Sequence, residues 1–326
     1  MGPTFSVRPY VSLAAGVLAA LVYGGLTHTV FTQRSDIFGT LSISFFLLVP
    51  PVLGFLSVIF GTDSQIKSWK FYIFTPWVAC CACMIVAGLF SLEFWWCIAL
   101  AAPLWLTLGS LGGIFAAIVA KLARQRASKD VTLGALLLFT VTPFLFMPVE
   151  RLLPLQPETR TVHSQIEIDA PPEVVWGNIT DLRRIAGPEQ HEALFHLVGL
   201  PRPLEAKMTC REVGCVRRGM WEDGLAFDGR ITRIVPGRSY WVDLRADTAG
   251  VRPSAAPLSQ IGGAVFAMVD DGYEITDAGG GRSVLHLYSS YRLTTRINAY
   301  GAFWLDLMLR DIQGYILGVE KARSES

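Results

Sequence analysis

The sequence predicts a bundle of about five transmembrane helices followed by an α+β helix-grip domain, an antiparallel sheet wrapped on a long C-terminal helix. Three observations predict it. Long apolar stretches fill residues 1–149. Charged residues concentrate after position 150. Residues 161–326 alternate in strand-like runs and end in one amphipathic helix. The chain-wide 52% hydrophobic and 17% charged content therefore averages two unlike halves.

A hydrocarbon core about 30 Å thick needs roughly 20 apolar helical residues, because lipid offers no partner to an open backbone donor or acceptor. Stretches near Tyr10–Phe31, Ile37–Phe60, Phe71–Phe90, Phe94–Ala120 and Val131–Met147 meet that requirement. The third and fourth are separated by Ser91-Leu92-Glu93 and together are too long for one span, which predicts a tight helical hairpin. Four spans, with Glu93 in a distorted helix, is the competing count. The first apolar run is longer than a signal-peptide core and only Arg8 precedes it, so a retained anchor is expected.

With five spans, Arg8, Lys67, Lys70, Lys121, Arg124, Arg126 and Lys129 share one side, against Arg34, Arg151 and Arg160 on the other. The positive-inside rule puts the richer side in the cytoplasm. The expected location is thus a membrane, in a bacterium the inner one, with the N-terminus cytoplasmic and the C-terminal domain periplasmic. An even number of spans would invert that placement. Ionisable groups that would mark a transport path are nearly absent: His28 lies near a span end and Glu93 in the expected turn. Gly109-Ser-Leu-Gly-Gly113 fits close helix packing. With a net charge of only +1, the chain has no basic surplus for nucleic acid.

Residues 150–160, with two prolines and four charges, read as a short stiff linker, leaving 161–326 for one domain. Val162–Asp169 alternates as a half-buried strand. Pro171 and Pro172 followed by Glu173 open a helix, because proline is tolerated in a first turn and an early acid complements the helix dipole. A short irregular helix is expected over Glu192–Val198. Strand-like runs follow near Ala206–Cys210, Cys215–Arg218, Ala226–Ile234, Tyr240–Arg245, Val265–Ile275 and Val284–Leu293, the last two flanking the turn signal Asp277-Ala-Gly-Gly-Gly-Arg282. A helix from about Arg296 to Ala322 carries Tyr300, Trp304, Met308, Ile312 and Ile316 every fourth residue.

This order resembles the START/Bet v 1-like (SRPBCC) superfamily, including its polyketide cyclase/dehydrase and lipid transport group, over residues 160–322. The resemblance is carried by Ala170-Pro-Pro-Glu-Val-Val-Trp176 after the opening strand, by Asp181 closing the first helix, by Phe227-Asp-Gly-Arg-Ile-Thr-Arg-Ile-Val-Pro-Gly-Arg238, and by the long final helix. It implies an apolar cavity between sheet and helix, which would make Tyr300, Trp304, Met308 and Ile312 ligand-binding residues and a membrane lipid or other hydrophobic small molecule the partner. A filled core is the alternative that periodicity leaves open. The resemblance also admits a small-molecule cyclase or dehydratase, and no cofactor is implied.

For catalysis, His286 with Tyr288 on the same strand face is the best acid/base pair, provided that face looks into a cavity. The alternation of Leu285, Leu287, Tyr291 and Leu293 on the other side points instead to an outward polar face. No metal site is expected, since His191 and His196, five apart, diverge by about 140° on a helix and lack further ligands. Cys210 and Cys215 flank a predicted hairpin turn and read either as a disulfide or as two buried thiols.

Overall fold

A computed structural model describes residues 8–32, 41–90, 92, 95–125, 129–185, 189, 193–197, 199–252, 258 and 260–326. Glu93, His191, Arg34 and Arg126 of the sequence reading lie outside the described residues. The chain divides into two compact units, Met1–Leu155 and Gln156–Ser326.

The first unit contains α1 (Arg8–Thr32), α2 (Ile43–Phe46), α3 (Val49–Ile59), α4 (Asp63–Lys67), α5 (Trp69–Leu89), α6 (Trp95–Gln125) and α7 (Lys129–Leu152). Among the described residues, four helices, α1, α5, α6 and α7, are long and apolar enough to cross a membrane. This corrects the expectation of five. The second apolar stretch breaks into α2 and α3, of 4 and 11 residues. Its Pro50-Pro51 pair has no N–H to continue a helix from Phe46 and Leu47, but suits the first turn of a new one. Eleven residues rise only about 16 Å. The third and fourth stretches form separate helices, α5 and α6, as the hairpin reading requires.

Although short, α3 is enclosed: Val52, Leu53, Phe55 and Val58 are at most 1% exposed. Its backbone touches that of α6. A Cβ at Gly54 would lie 1.9 Å from the Gly109 carbonyl oxygen, and one at Gly112 would lie 1.8 Å from that of Pro51. The small-residue pattern at 109–113 thus lets two helices meet backbone to backbone.

Polar contacts mark the two ends of this bundle. At one end, Ser12 donates to Gln65, and Arg124 donates to the Gly61 carbonyl and pairs with Asp63 at 2.8 Å. At the other, the buried Glu150 carboxylate accepts the N–H groups of Ile43 and Ser44 at 2.7 and 2.9 Å, and Phe31 packs on Phe45. The start of α1 and the end of α7 therefore lie at opposite ends, and the broken α2–α3 segment runs between them.

The second unit consists of β1 (Glu158–Ile168), α8 (Pro172–Thr180), β2 (Asp181–Leu182), α9 (Leu194–Leu197), β3 (Pro203–Met208), β4 (Val216–Trp221), β5 (Ala226–Val235), β6 (Ser239–Asp247), β7 (Phe266–Gly279), β8 (Arg282–Leu293) and α10 (Asn298–Ser324). The strands form one antiparallel sheet in the order β1-β8-β7-β6-β5-β4-β3-β2. Closing the first helix at Asp181 also begins β2, a two-residue strand that the sequence did not announce. Gly279, Gly280 and Gly281 all take positive φ in the β7–β8 turn, which side chains would oppose.

Alternation gives the sheet an inner face toward α10. Leu285 and Leu287 of β8 pack in one core with Leu317, while Tyr291 and Leu293 join Ala302 and Leu309 in a second. Polar bonds fasten the helix to β1. Gln313 donates to the Val162 carbonyl at 3.1 Å, Lys321 to the Glu167 carbonyl at 2.6 Å, and the Asp169 N–H donates to Glu325 at 2.8 Å.

The close approach of α3 to α6 is testable. Gly112→Ala is expected to lower stability by about 1–3 kcal/mol or more, because backbone must move. Gly134→Ala, with nothing within 4 Å of its Cβ, should leave the thermal midpoint of the detergent-purified protein within a degree or two of the parent.

Candidate functional site between sheet and helix

The inner face gathers charged groups. Arg217 of β4 points inward and is 9% exposed, with Gly229 in register across from it on β5. The guanidinium lies 5.9 Å from the Tyr240 ring centroid and 5.4 Å from that of Tyr273, within cation–π range. Those two rings, paired across β6 and β7, stack at 5.1 Å. Tyr240 donates its hydroxyl to the Ile179 carbonyl at 3.1 Å, and Trp176 meets its ring edge-on. Asp271 of β7 bonds Ser289 of β8.

From α10 comes Glu320, 0% exposed. Neither of its carboxyl oxygens has a hydrogen-bond partner among the described residues, and neither do Arg217 Nε and Asp271 Oδ1. Such atoms are normally satisfied in a protein interior, and leaving them bare is costly. Burial pushes the Glu320 carboxyl up to about 7, against the opposing pull of Arg217 and Arg323. Burial likewise pushes Asp271 up to about 7, against its Ser289 hydrogen bond and Arg217. For Arg217, burial works against the charge, but the surrounding Tyr240, Tyr273, Asp271 and Glu320 raise its pKa overall. The cluster thus offers a fixed cation beside two carboxyl groups able to change protonation near neutrality.

Of the residues expected to line a cavity, Met308 is buried at 4%, while Tyr300, Trp304 and Ile312 are half-buried. The every-fourth spacing drifts about 40° per step, so that stripe winds off the inner face. The buried face runs instead through Ala302, Leu309, Gln313, Leu317 and Glu320. Trp304 keeps its indole N–H buried without a hydrogen-bond partner among the described residues.

His286 and Tyr288 lie on the opposite, outer face of the sheet, so the structure does not bring them to this cluster. There His286 sits 3.2 Å from His163 Nε2, and burial followed by the neighbouring His163 lowers its pKa. His196 packs between Phe195 and Tyr315. Cys210 and Cys215 are joined as a disulfide across the β3–β4 turn, with Cα atoms 5.5 Å apart. Sequence reasoning missed Arg217, Asp271 and Glu320. One signal was present: Glu320 falls seven residues after Gln313 on the gripped face.

An antiparallel sheet packed on a long final helix is the architecture that the START/Bet v 1-like resemblance implies. No protein-family model and no curated protein sequence matches the chain. Matching solved structures cover its C-terminal half. They include an aromatase/cyclase, ZhuI, from Streptomyces sp. R1128 (14% identity, 52% of this chain and 94% of that one, TM-score 0.33). Norcoclaurine synthase from Thalictrum flavum matches at 11% identity over 51% of this chain and 87% of that one, TM-score 0.30. A conserved protein from Geobacillus kaustophilus matches at 11% over 51% and 97%, TM-score 0.32. Likenesses this distant say nothing of ligand or reaction.

The raised carboxyl groups give a pH signature. Folded, Glu320 and Asp271 hold protons up to about pH 7. Unfolded, they release them near pH 4, so between those values the folded state binds more protons and stability falls as pH rises, levelling off above 7. Glu325, Asp306 and Asp247 shift the other way and act at lower pH, while His286, lowered on folding, opposes part of the slope below about 6.5. Glu320→Gln should flatten part of this slope and raise the thermal midpoint at pH 8. Midpoints measured on the full chain between about pH 4.5 and 8.5 check both the sign and the window.

Proposed function

We propose that the C-terminal unit is a helix-grip receptor for an amphiphilic small molecule or lipid, whose polar end meets Arg217, Glu320 and Asp271 and whose apolar body lies along α10 near Trp304 and Met308, with Tyr300 and Ile312 toward the rim. The observation that carries this reading is the enclosed Arg217 Nε and Glu320 carboxyl oxygens, which have no hydrogen-bond partner among the described residues. A ligand offering both a hydrogen-bond donor and an acceptor would complete them. The apolar helices of the first unit would hold the receptor at a membrane, keeping the local concentration of a lipid-dissolved ligand high.

Native mass spectrometry of the full chain in mild detergent should release a co-purified hydrophobic molecule bearing a polar end. Arg217→Met should weaken its retention by about tenfold or more, the loss of a charged hydrogen bond. A chain that carries no such molecule and takes up no hydrophobic fluorescent probe would overturn the reading.

A second reading, a cyclase or dehydratase, is favoured by the same two carboxyl groups near neutrality beside the Tyr240 and Tyr273 phenols, a constellation suited to proton transfer. It is distinguished by turnover of a bound ligand that Glu320→Gln abolishes without loss of binding.

The same proposal puts the unit on the outer side of the membrane despite the four spanning helices, because the enclosed α2–α3 segment carries the chain from one end of the bundle to the other without being a spanning helix itself. Lys67, Lys70, Lys121 and Arg124 follow or precede the contacts that define the Ser12 end of the bundle, the positively charged side, and the chain leaves from the Glu150 end. An oxidising compartment also suits the Cys210–Cys215 disulfide. In a background lacking the native cysteines, Ala127→Cys should resist an impermeant thiol reagent in intact cells and Pro157→Cys should react. The reverse pattern would put the receptor in the cytoplasm.

A further inference from the structure

The outward line of α10 is apolar where a surface helix is ordinarily charged. From Asn298 to Gly314 its exposed residues are Ala299, Phe303, Leu307, Arg310 and Gly314, of which only Arg310 is polar. Phe303 is 61% exposed and Leu307 37%. Tyr300 and Trp304 flank this line half-buried, and Trp304 meets both Tyr300 and Phe303 edge-on, at 6.3 and 5.2 Å. The two acids of the stretch are engaged elsewhere. Asp306 accepts the Tyr291 hydroxyl at 2.7 Å and pairs with Arg160 at 2.6 Å, and Asp311 accepts the Phe195 N–H at 2.8 Å. That last bond holds α9 against α10 one turn past Leu307, and α9 brings two further exposed apolar side chains, Leu194 and Leu197.

Chain connectivity keeps this face within reach of lipid. The last helix long and apolar enough to span, α7, ends at Leu152. Four residues later, the Gln156 carbonyl accepts the side-chain N–H of Asn298, the first residue of α10, at 3.0 Å. Four residues span at most about 14 Å. The start of α10 therefore cannot stray farther than that, plus one hydrogen bond, from the end of a membrane-spanning helix.

We propose that the outward face of α10 docks on the bilayer that anchors the chain, with Phe303 and Leu307 lodged at the boundary between headgroups and acyl chains. The composition suits that layer. Tyrosine and tryptophan settle where a ring can meet apolar chains and its polar tip can meet water, and phenylalanine and leucine gain the apolar side of the boundary. Arg296 and Arg310, before and after the aromatic group, are the right sign for anionic headgroups. A bilayer held within reach by four residues also has a high effective concentration, which a protein arriving from solution lacks. Phe303 and Leu307 are not among the residues assigned to the ligand, so docking and ligand binding stand separately.

The test uses the full chain with its free cysteines replaced and the Cys210–Cys215 disulfide kept. Phe303→Cys, carrying a nitrobenzoxadiazole label, is reconstituted in vesicles of phosphatidylcholine and phosphatidylglycerol, with and without lipid bearing a doxyl quencher near the headgroup. Its emission should be blue-shifted and should lose most of its intensity to the doxyl lipid. The same label at Arg282→Cys, an exposed position at the other end of β8 from α10, should show neither effect. Leu307→Cys should match Phe303→Cys and serves if that variant does not fold. Adding Leu307→Asp to the labelled Phe303→Cys chain should reverse much of the quenching. Emission at Phe303 that stays red and unquenched leaves the face in water and overturns the proposal. Blue emission that doxyl lipid does not quench overturns it too, because protein then covers the face. So does quenching that is equal at Arg282→Cys, or that survives Leu307→Asp unchanged, since neither would belong to this face.

Discussion

A guanidinium enclosed between a sheet and a helix is tolerable only while its charge is shared. Arg217 keeps its proton against burial because two phenol rings and two carboxyl groups surround it, and those carboxyl groups are in turn raised toward neutrality by the same enclosure. Each member therefore sets the state of the others. Remove the cation, and two buried acids lose part of what draws them toward ionisation, with only Ser289 and Arg323 left to do so; remove the acids, and the cation keeps only the two phenols. This mutual dependence explains why the interior under α10 is polar at its heart while Leu285, Leu287 and Leu317 around it form an ordinary apolar core.

The first unit follows an opposite logic. Charge there is confined to the bundle ends, and the interior is organised by contact between backbones. Gly54 against Gly109 and Pro51 against Gly112 bring α3 so near α6 that no side chain fits between. In lipid, where apolar burial gains nothing over contact with acyl chains, close packing of this kind and end contacts such as Glu150 with Ile43 and Ser44 hold helices together. A segment too short to span by itself can then be retained, because its broken end is satisfied by a carboxylate from another helix.

Much of the architecture was legible in the sequence. Apolar length found the four long helices, and period-two alternation found seven of the eight strands, since those patterns report directly on which face meets lipid or core. The broken second stretch was not legible by hydropathy, which counts apolar residues and is blind to the missing donors of Pro50 and Pro51. The site was less legible still. The apolar stripe from Tyr300 to Ile316 drew attention away from the gripped face because that face is interrupted by Gln313 and Glu320, and a polar residue on a buried face reads as solvent-exposed until the strands it touches are known. His286 and Tyr288 share a face, as read, but it is the face turned away from α10.

The bonds from Gln313, Lys321 and Glu325 to β1 have a consequence for self-association. β1 is one border of the sheet, eleven residues long, with a backbone unpaired on its far side. Borders of that length invite a strand from another molecule to add on. Here Gln313 and Lys321 of the final helix cap the Val162 and Glu167 carbonyls, and Glu325 holds the Asp169 N–H just past the strand, so part of that border is covered by groups that cannot propagate a sheet. The part of α10 from Gln313 onward thereby acts as a partial intramolecular guard against aggregation, and a protein cut short before Lys321 would keep the Gln313 bond but lose the other two.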